Sequence, residues 1–240
     1  MVTKSIFGTL ADGAQIDLYK ITNKNGACVS LQTLGAGIQS LYMPDKNGTL
    51  ADVVLGFDNP QDYTNPDLGY QGLVVGRWAN RIRDAKFTFN GKEYKTPMNQ
   101  GRWTLHGGGR FSFTPWDVEE VGDDFVTFSR FSPDGEDGFG GNFTMKVKYT
   151  LTDDNTLRVE YTILCDEDTV ANPTNHAYFN LSGNADEDVQ NHYLKINADY
   201  FTETDGDQLP TGELGELKGT MMDFAQSTKI GERKRFFRIF

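Results

Sequence analysis

Three histidines, His106, His176 and His192, carry most of the acid–base chemistry this sequence can offer. Histidine is the side chain whose unperturbed pKa, about 6.5, lies nearest neutral pH. His106 sits in Leu105-His106-Gly107-Gly108-Gly109. Three glycines after a histidine predict a tight, permissive loop that lets a ligand approach the backbone. His176 sits in Asn172-Pro173-Thr174-Asn175-His176-Ala177-Tyr178-Phe179-Asn180-Leu181. Strand alternation there places His176, Tyr178 and Asn180 on one face, with Ala177, Phe179 and Leu181 on the other. A polar, aromatic-bearing face suits a hydroxyl-rich ligand. His192, between Asn191 and Tyr193, reads as an exposed loop residue. Gly76-Arg77-Trp78-Ala79-Asn80-Arg81-Ile82-Arg83 clusters cations beside a glycine and an aromatic ring. It is either a solvated basic stretch or a set of donors for anions or sugar hydroxyls. Residue type alone favours hydrogen-bonded structural histidines at 106 and 176, because isolated histidines are weak evidence.

Several other chemistries find no support. A metal site needs a third ligand at sensible spacing, and none accompanies the histidines. There is no G-x-S-x-G nucleophile elbow, no P-loop and no dinucleotide fingerprint. Asp134-Gly135-Glu136-Asp137-Gly138 lacks the spacing and terminal glutamate of an EF-hand, and reads as an acidic turn. Cys28 and Cys165 lie far apart and form no CxxC pair, which argues against a disulfide framework or a zinc site.

The elements that must hold these residues are strands. Ala27 to Pro44 is rich in apolar and β-branched residues broken by glycines. Phe87 to Tyr94 reads as a hairpin around Asn90-Gly91. Phe125 to Arg130, Phe143 to Thr150 and Thr156 to Leu164 alternate in and out, with a turn at Asp153-Asp154-Asn155. Brief helical turns are expected at Asp62-Tyr63 and from Gln71 to Val75. There is no long amphipathic helix, no fixed-period repeat and no low-complexity linker, so residues 1–240 read as a single antiparallel β-sandwich domain.

Composition sets the outer limits. The chain has 240 residues, 38% of them hydrophobic, with 26 glycines, which suits a folded, turn-rich protein. A net charge of -11 argues against nucleic acid or an anionic membrane surface as a partner. No stretch reaches the ~18 apolar residues of a membrane span, and the N-terminus lacks a signal-peptide core, so the expectation is a cytoplasmic protein. Residues 229–240 depart from this acidic background, being basic and aromatic. They read as an edge strand, as a tail for an acidic partner, or as the point where the natural sequence is interrupted.

Taken in order, six segments resemble the aldose 1-epimerase family, of the galactose mutarotase type. They are Gly76 to Ile82, Asn90 to Tyr94, Leu105 to Gly108, Ser132 to Gly138, Thr174 to Leu181, and Leu209 to Glu213. The resemblance implies a large antiparallel β-sandwich and mutarotation, the interconversion of the α and β anomers of a free aldohexose such as galactose or glucose. A base removes the C1 hydroxyl proton, an acid protonates the ring oxygen, and the ring opens and recloses. The reaction needs no cofactor and no metal. The position matching the family's acid is His176. His106 matches a second histidine that hydrogen-bonds the sugar. Asn80 and Arg81 match a pair that holds sugar hydroxyls, and Tyr178 lies beside the acid. The family's base is a glutamate in a Glu-x-Gln-x-x-Pro-Asp-type segment, and a substrate-binding aspartate lies in a Gly-Φ-Asp-His-type segment, where Φ is apolar. Neither occurs here. Family members run considerably further, so the resemblance implies a chain truncated at its C-terminus, lacking the last strands of the sandwich and weakly active. The rival expectations are a non-catalytic carbohydrate-binding remnant or sugar sensor, and a hexose-6-phosphate epimerase.

Overall fold

A computed structural model describes residues 1–233 of the chain. They divide into two compact units, Met1–Phe179 and the part that begins at Asn180.

In chain order the first unit carries β1 (Val2–Thr9), β2 (Gln15–Thr22), β3 (Cys28–Gln32), β4 (Gly37–Pro44), β5 (Leu50–Asp52), β6 (Val74–Val75), β7 (Arg81–Ile82), β8 (Lys86–Phe89), β9 (Lys92–Lys95), β10 (Thr104–Leu105), β11 (Asp117–Val121), β12 (Phe125–Ser132), β13 (Phe143–Leu151), β14 (Leu157–Cys165) and β15 (Thr174–Asn175). Strands β1 to β5 form one antiparallel meander and β11 to β14 another. Both give their inward rows to one core. Ile21, Val29, Leu31 and Ile38 come from the first sheet, and Val126, Phe128, Phe143, Met145 and Val147 from the second. This is the sandwich expected from the alternation. In β13 alternate residues from Phe143 to Leu151 are buried, as a strand with one face on the core requires.

The predicted hairpin is β8–β9, with Phe87 opposite Tyr94 and their rings stacked 5.2 Å apart. Asn90 and Gly91 both take positive φ (49° and 76°), the backbone that a two-residue hairpin turn demands. The turn at Asp62-Tyr63 is a 3₁₀ turn, Asp62–Thr64. The second expected helical turn does not form. After a turn at Gly72 (φ 69°), Val74–Val75 extends and pairs with Thr174–Asn175, as two β-branched residues favour.

The continuous strand expected over Asn172 to Leu181 is also corrected. The ladder with Val74–Val75 ends at Asn175, and the chain pairs again only through a bridge between Phe179 and Val54. The Asn175 side chain donates to the Gly72 carbonyl (2.9 Å) and accepts from the Ala177 N–H (2.9 Å). That local bond competes with the ladder and turns the chain. Asn180 therefore does not share a strand face with His176 and Tyr178. It is buried in the second unit, donating to the carbonyls of Asn184 and Glu187.

The second unit carries β16 (Tyr193–Leu194), β17 (Tyr200–Thr204), β18 (Pro210–Glu216) and β19 (Thr228–Lys229). β17 and β18 form a hairpin, and β16 pairs with β19. His192 is a half-buried structural residue here rather than an exposed one. Its Nε2 accepts the Leu181 N–H (2.7 Å), which leaves Nδ1 to donate to the Val189 carbonyl (3.1 Å). Of the basic segment 229–240, Lys229 lies in β19 and Ile230–Arg233 forms a 3₁₀ turn, while residues 234–240 lie outside the described residues.

Candidate active site

Two short ladders in the first unit bring the candidate residues together. β7 pairs with β10, setting Leu105 opposite Arg81, so His106 follows directly beside Asn80. β6 pairs with β15, and His176 then bonds back through its N–H to the Leu73 carbonyl (2.9 Å). Leu73 closes a turn on Tyr70 (3.0 Å), which returns the Tyr70 ring beneath both histidines.

The result is an aromatic cage. The His106 and His176 rings stand 5.1 Å apart, edge to face. Tyr70 lies 4.6 Å from His106 and 6.1 Å from His176, and stacks on Phe113 at 4.8 Å. Tyr178 flanks His176 at 5.1 Å and is 45% exposed, so this wall opens to solvent. Tyr70 carries no motif that would have marked it in the sequence. Its place depends on two ladders whose partners are distant in the chain. Burial pushes its hydroxyl up to about 12, so it remains protonated at neutral pH.

The two histidines are held differently. The Asn80 N–H donates to His106 Nδ1 (3.0 Å), which puts the His106 proton on Nε2. Burial first, then His176, then Arg81 push its pKa down to about 4. His106 is thus a neutral Nε2–H donor, suited to a ligand oxygen and unsuited to delivering a proton from a cationic form. Both His106 (φ 52°) and Asn80 (φ 67°) occupy left-handed backbone, uncommon for residues with a Cβ and enriched at functional sites. His176 is half-buried, and among the described residues neither of its ring nitrogens has a hydrogen-bond partner. It can exchange a proton with a bound molecule without first breaking a bond to the protein.

Asn80 and Arg81 complete the polar side. The Asn80 Oδ1 accepts the Arg81 N–H (2.8 Å), while its amide nitrogen keeps its donors without a partner among the described residues. Arg81 Nε donates to Gln100 Oε1 (2.9 Å), fixing the guanidinium, while its terminal nitrogens have no partner among the described residues. Asn99 supports the same loop by bonding both the N–H and the carbonyl of Leu105. Arg81 also borders a cleft of about 320 Å³ walled by Trp78, Ile82, Phe87 and Val170.

Other residues of the same motifs serve structure. Arg77 is only 2% exposed and donates to the carbonyls of Ser132, Pro133, Gly140 and Gly141, so it ties a loop rather than meeting a ligand. The glycines after His106 serve packing. A Cβ on Gly107 would lie 2.2 Å from the Gly76 carbonyl oxygen, and Gly108 and Gly109 face Pro97 and Phe113. The acidic run is a turn, as expected, with Glu136 gripped by both terminal nitrogens of Arg130 (2.7 and 2.9 Å).

A fold of this kind is known in other proteins. The aldose 1-epimerase family model matches residues 17–240. The chain belongs to the aldose 1-epimerase family. It is 42% identical over 217 residues to an aldose 1-epimerase of Haemophilus influenzae, which covers 89% of this chain and 62% of that protein. It is 38% identical over 240 residues to the galactose mutarotase of Sus scrofa, covering 99% of this chain and 69% of that protein. An aldose epimerase homologue from C. elegans superposes with a TM-score of 0.85 at 36% identity, over 91% of this chain and 66% of that one. The chain thus spans about two thirds of the length of the aldose 1-epimerases it matches.

Proposed function

We propose that this protein acts on free aldohexoses as a mutarotase, with His176 as the proton donor to the ring oxygen. The single observation that carries this reading is the pairing of two unlike histidines around Tyr70. One is a neutral donor with its tautomer fixed, and the other has both ring nitrogens open to a ligand. Ring opening needs that division of labour. The sugar must be held by groups that keep their protons, while one group gives its proton up. Asn80, Arg81 and His106 bind hydroxyls, and Tyr178 forms the exposed wall against which the sugar packs. The names of the relatives support the same chemistry. Galactose and glucose are the candidate substrates.

The second partner of the reaction is a base at the C1 hydroxyl. No segment of the 240 residues matches the family's glutamate motif. General acid–base assistance contributes roughly 10²–10⁴-fold per group, so the chain alone works slowly. A second reading, sugar binding without turnover, is favoured by that same missing carboxylate. Exchange between the galactose anomer signals, followed by NMR beside a saturation-transfer measurement of binding, separates the two. Catalysis gives exchange above the buffer rate together with binding. Binding with exchange at the buffer rate selects the second reading and sinks the first.

A further inference from the structure

The two candidate histidines sit on separate pieces of chain, and one side chain meets both pieces. His176 is tied to the turn at residues 70–73 from two sides. Its N–H donates to the Leu73 carbonyl (2.9 Å), and its carbonyl accepts the Gly72 N–H (3.1 Å). The Leu73 N–H closes that turn on the Tyr70 carbonyl (3.0 Å). Gly72 lets the turn press on the first sheet, since its φ is 69° and a Cβ there would lie 2.0 Å from the Ile38 carbonyl oxygen. The backbone of Tyr70 is thus bonded into one piece with His176. Its ring belongs with the other histidine. It meets the His106 ring edge to face at 4.6 Å and stacks on Phe113 at 4.8 Å. Phe113 shares the His106 loop: its N–H donates to the Gly109 carbonyl (3.0 Å), and the Gly109 N–H donates to the His106 carbonyl (3.3 Å). All of these contacts lie inside the first unit, where Tyr70 is 5% exposed. Among the described residues the Tyr70 hydroxyl has no hydrogen-bond partner, and a Cβ on Gly109 would lie 3.5 Å from it.

We propose that Tyr70 is a positioning residue, whose ring fixes the spacing and relative angle of His106 and His176 and whose hydroxyl takes no part. Aromatic pairs prefer offset-stacked or edge-to-face arrangements with centroids about 4.5–7 Å apart. Tyr70 makes one of each, at 28° to Phe113 and 68° to His106, so its ring has little freedom to tilt. The same ring helps to bury His106, and burial stands before His176 and Arg81 among the causes that hold the His106 pKa down to about 4. A smaller aliphatic side chain at position 70 opens a gap beside both rings. Water then reaches His106, and the 5.1 Å separation of the histidines is no longer fixed. The consequence for sugar rests on the mutarotase reading. A hydroxyl held by His106 Nε2 and a ring oxygen protonated by His176 need the two rings at one separation.

Ring and hydroxyl are separated by Tyr70→Leu and Tyr70→Phe in the whole chain. The histidine side chains are titrated by NMR without sugar, and galactose affinity is measured by saturation transfer. In the wild type and in Tyr70→Phe, His106 is expected to keep its proton on Nε2 and to titrate near 4. In Tyr70→Leu its proton affinity rises at least roughly tenfold, towards the ordinary value of about 6.5. Galactose binding weakens about tenfold in Tyr70→Leu, and Tyr70→Phe recovers most of it. Circular dichroism melts verify folding. Should Tyr70→Leu fail to fold, Phe113→Leu loosens the ring that Tyr70 stacks on and shifts the His106 titration in the same direction. A His106 titration that the leucine variants leave at its wild-type position overturns the proposal. So does a Tyr70→Phe variant that behaves like Tyr70→Leu, because the hydroxyl is then the working group. A wild-type chain that binds no galactose sinks the mutarotase reading instead, and the titrations alone then decide the role of Tyr70.

Discussion

His106 and His176 face each other across 5.1 Å, yet the protein treats them differently, and that difference is measurable. The folded pKa of His106, about 4, lies below the unfolded value of about 6.5. Between those values the unfolded chain binds the proton and the folded chain does not, so stability rises with pH across that window. It is fully present above about pH 6.5 and is lost as pH falls towards 4. Replacing His106 by Gln removes the titration. The difference in melting temperature between the wild type and His106→Gln should therefore change from pH 4.5 to pH 7, with the wild type gaining more on going up. A constant difference would mean that His106 is not held neutral. The histidines themselves were legible from their neighbours in the chain. Tyr70, Gln100 and the Asn80–His106 bond were not, because each relies on pairing between segments that sequence order does not connect.

At the scale of elements, the sequence announced its long strands well. β12, β13 and β14 alternate because one face meets a core, and that alternation is visible in the residues. The short ladders around the site carry no such signal. Two residues are too few for a period, and Asn175 redirects the chain through its own side chain. The structural roles of Arg77 and Gly107 were not legible for a related reason, since each depends on segments distant in the chain. Arg77→Ala should destabilise the protein by about 1–3 kcal/mol in urea unfolding, because it leaves four loop carbonyls without their donor. Gly107→Ala should lose about 2 kcal/mol or more, since its φ of 67° disfavours a side chain and a Cβ would strike the Gly76 carbonyl. Gly101→Ala, with a similar φ but open space around it, should lose less. Equal losses at the two glycines would contradict the packing account of the His106 loop.

At the scale of the whole molecule, the two units differ in how much core they hold. The first buries residues from both sheets in one cluster, while the buried apolar residues of the second are Leu209, Leu217 and Phe224 among those described. Amide hydrogen exchange should accordingly be slowest in β12 and β13 and faster in the β17–β18 hairpin. Uniform protection across both would contradict that division. No helix among the described residues is long and apolar enough to cross a membrane. The sandwich was legible as a class, because its long strands alternate. The most direct test remains anomer exchange of galactose, compared between the wild-type chain and His176→Ala at neutral pH. Exchange above the buffer rate in the wild type that falls to the buffer rate in His176→Ala is the predicted result. Exchange in His176→Ala equal to that of the wild type would contradict the assignment of His176 as the proton donor.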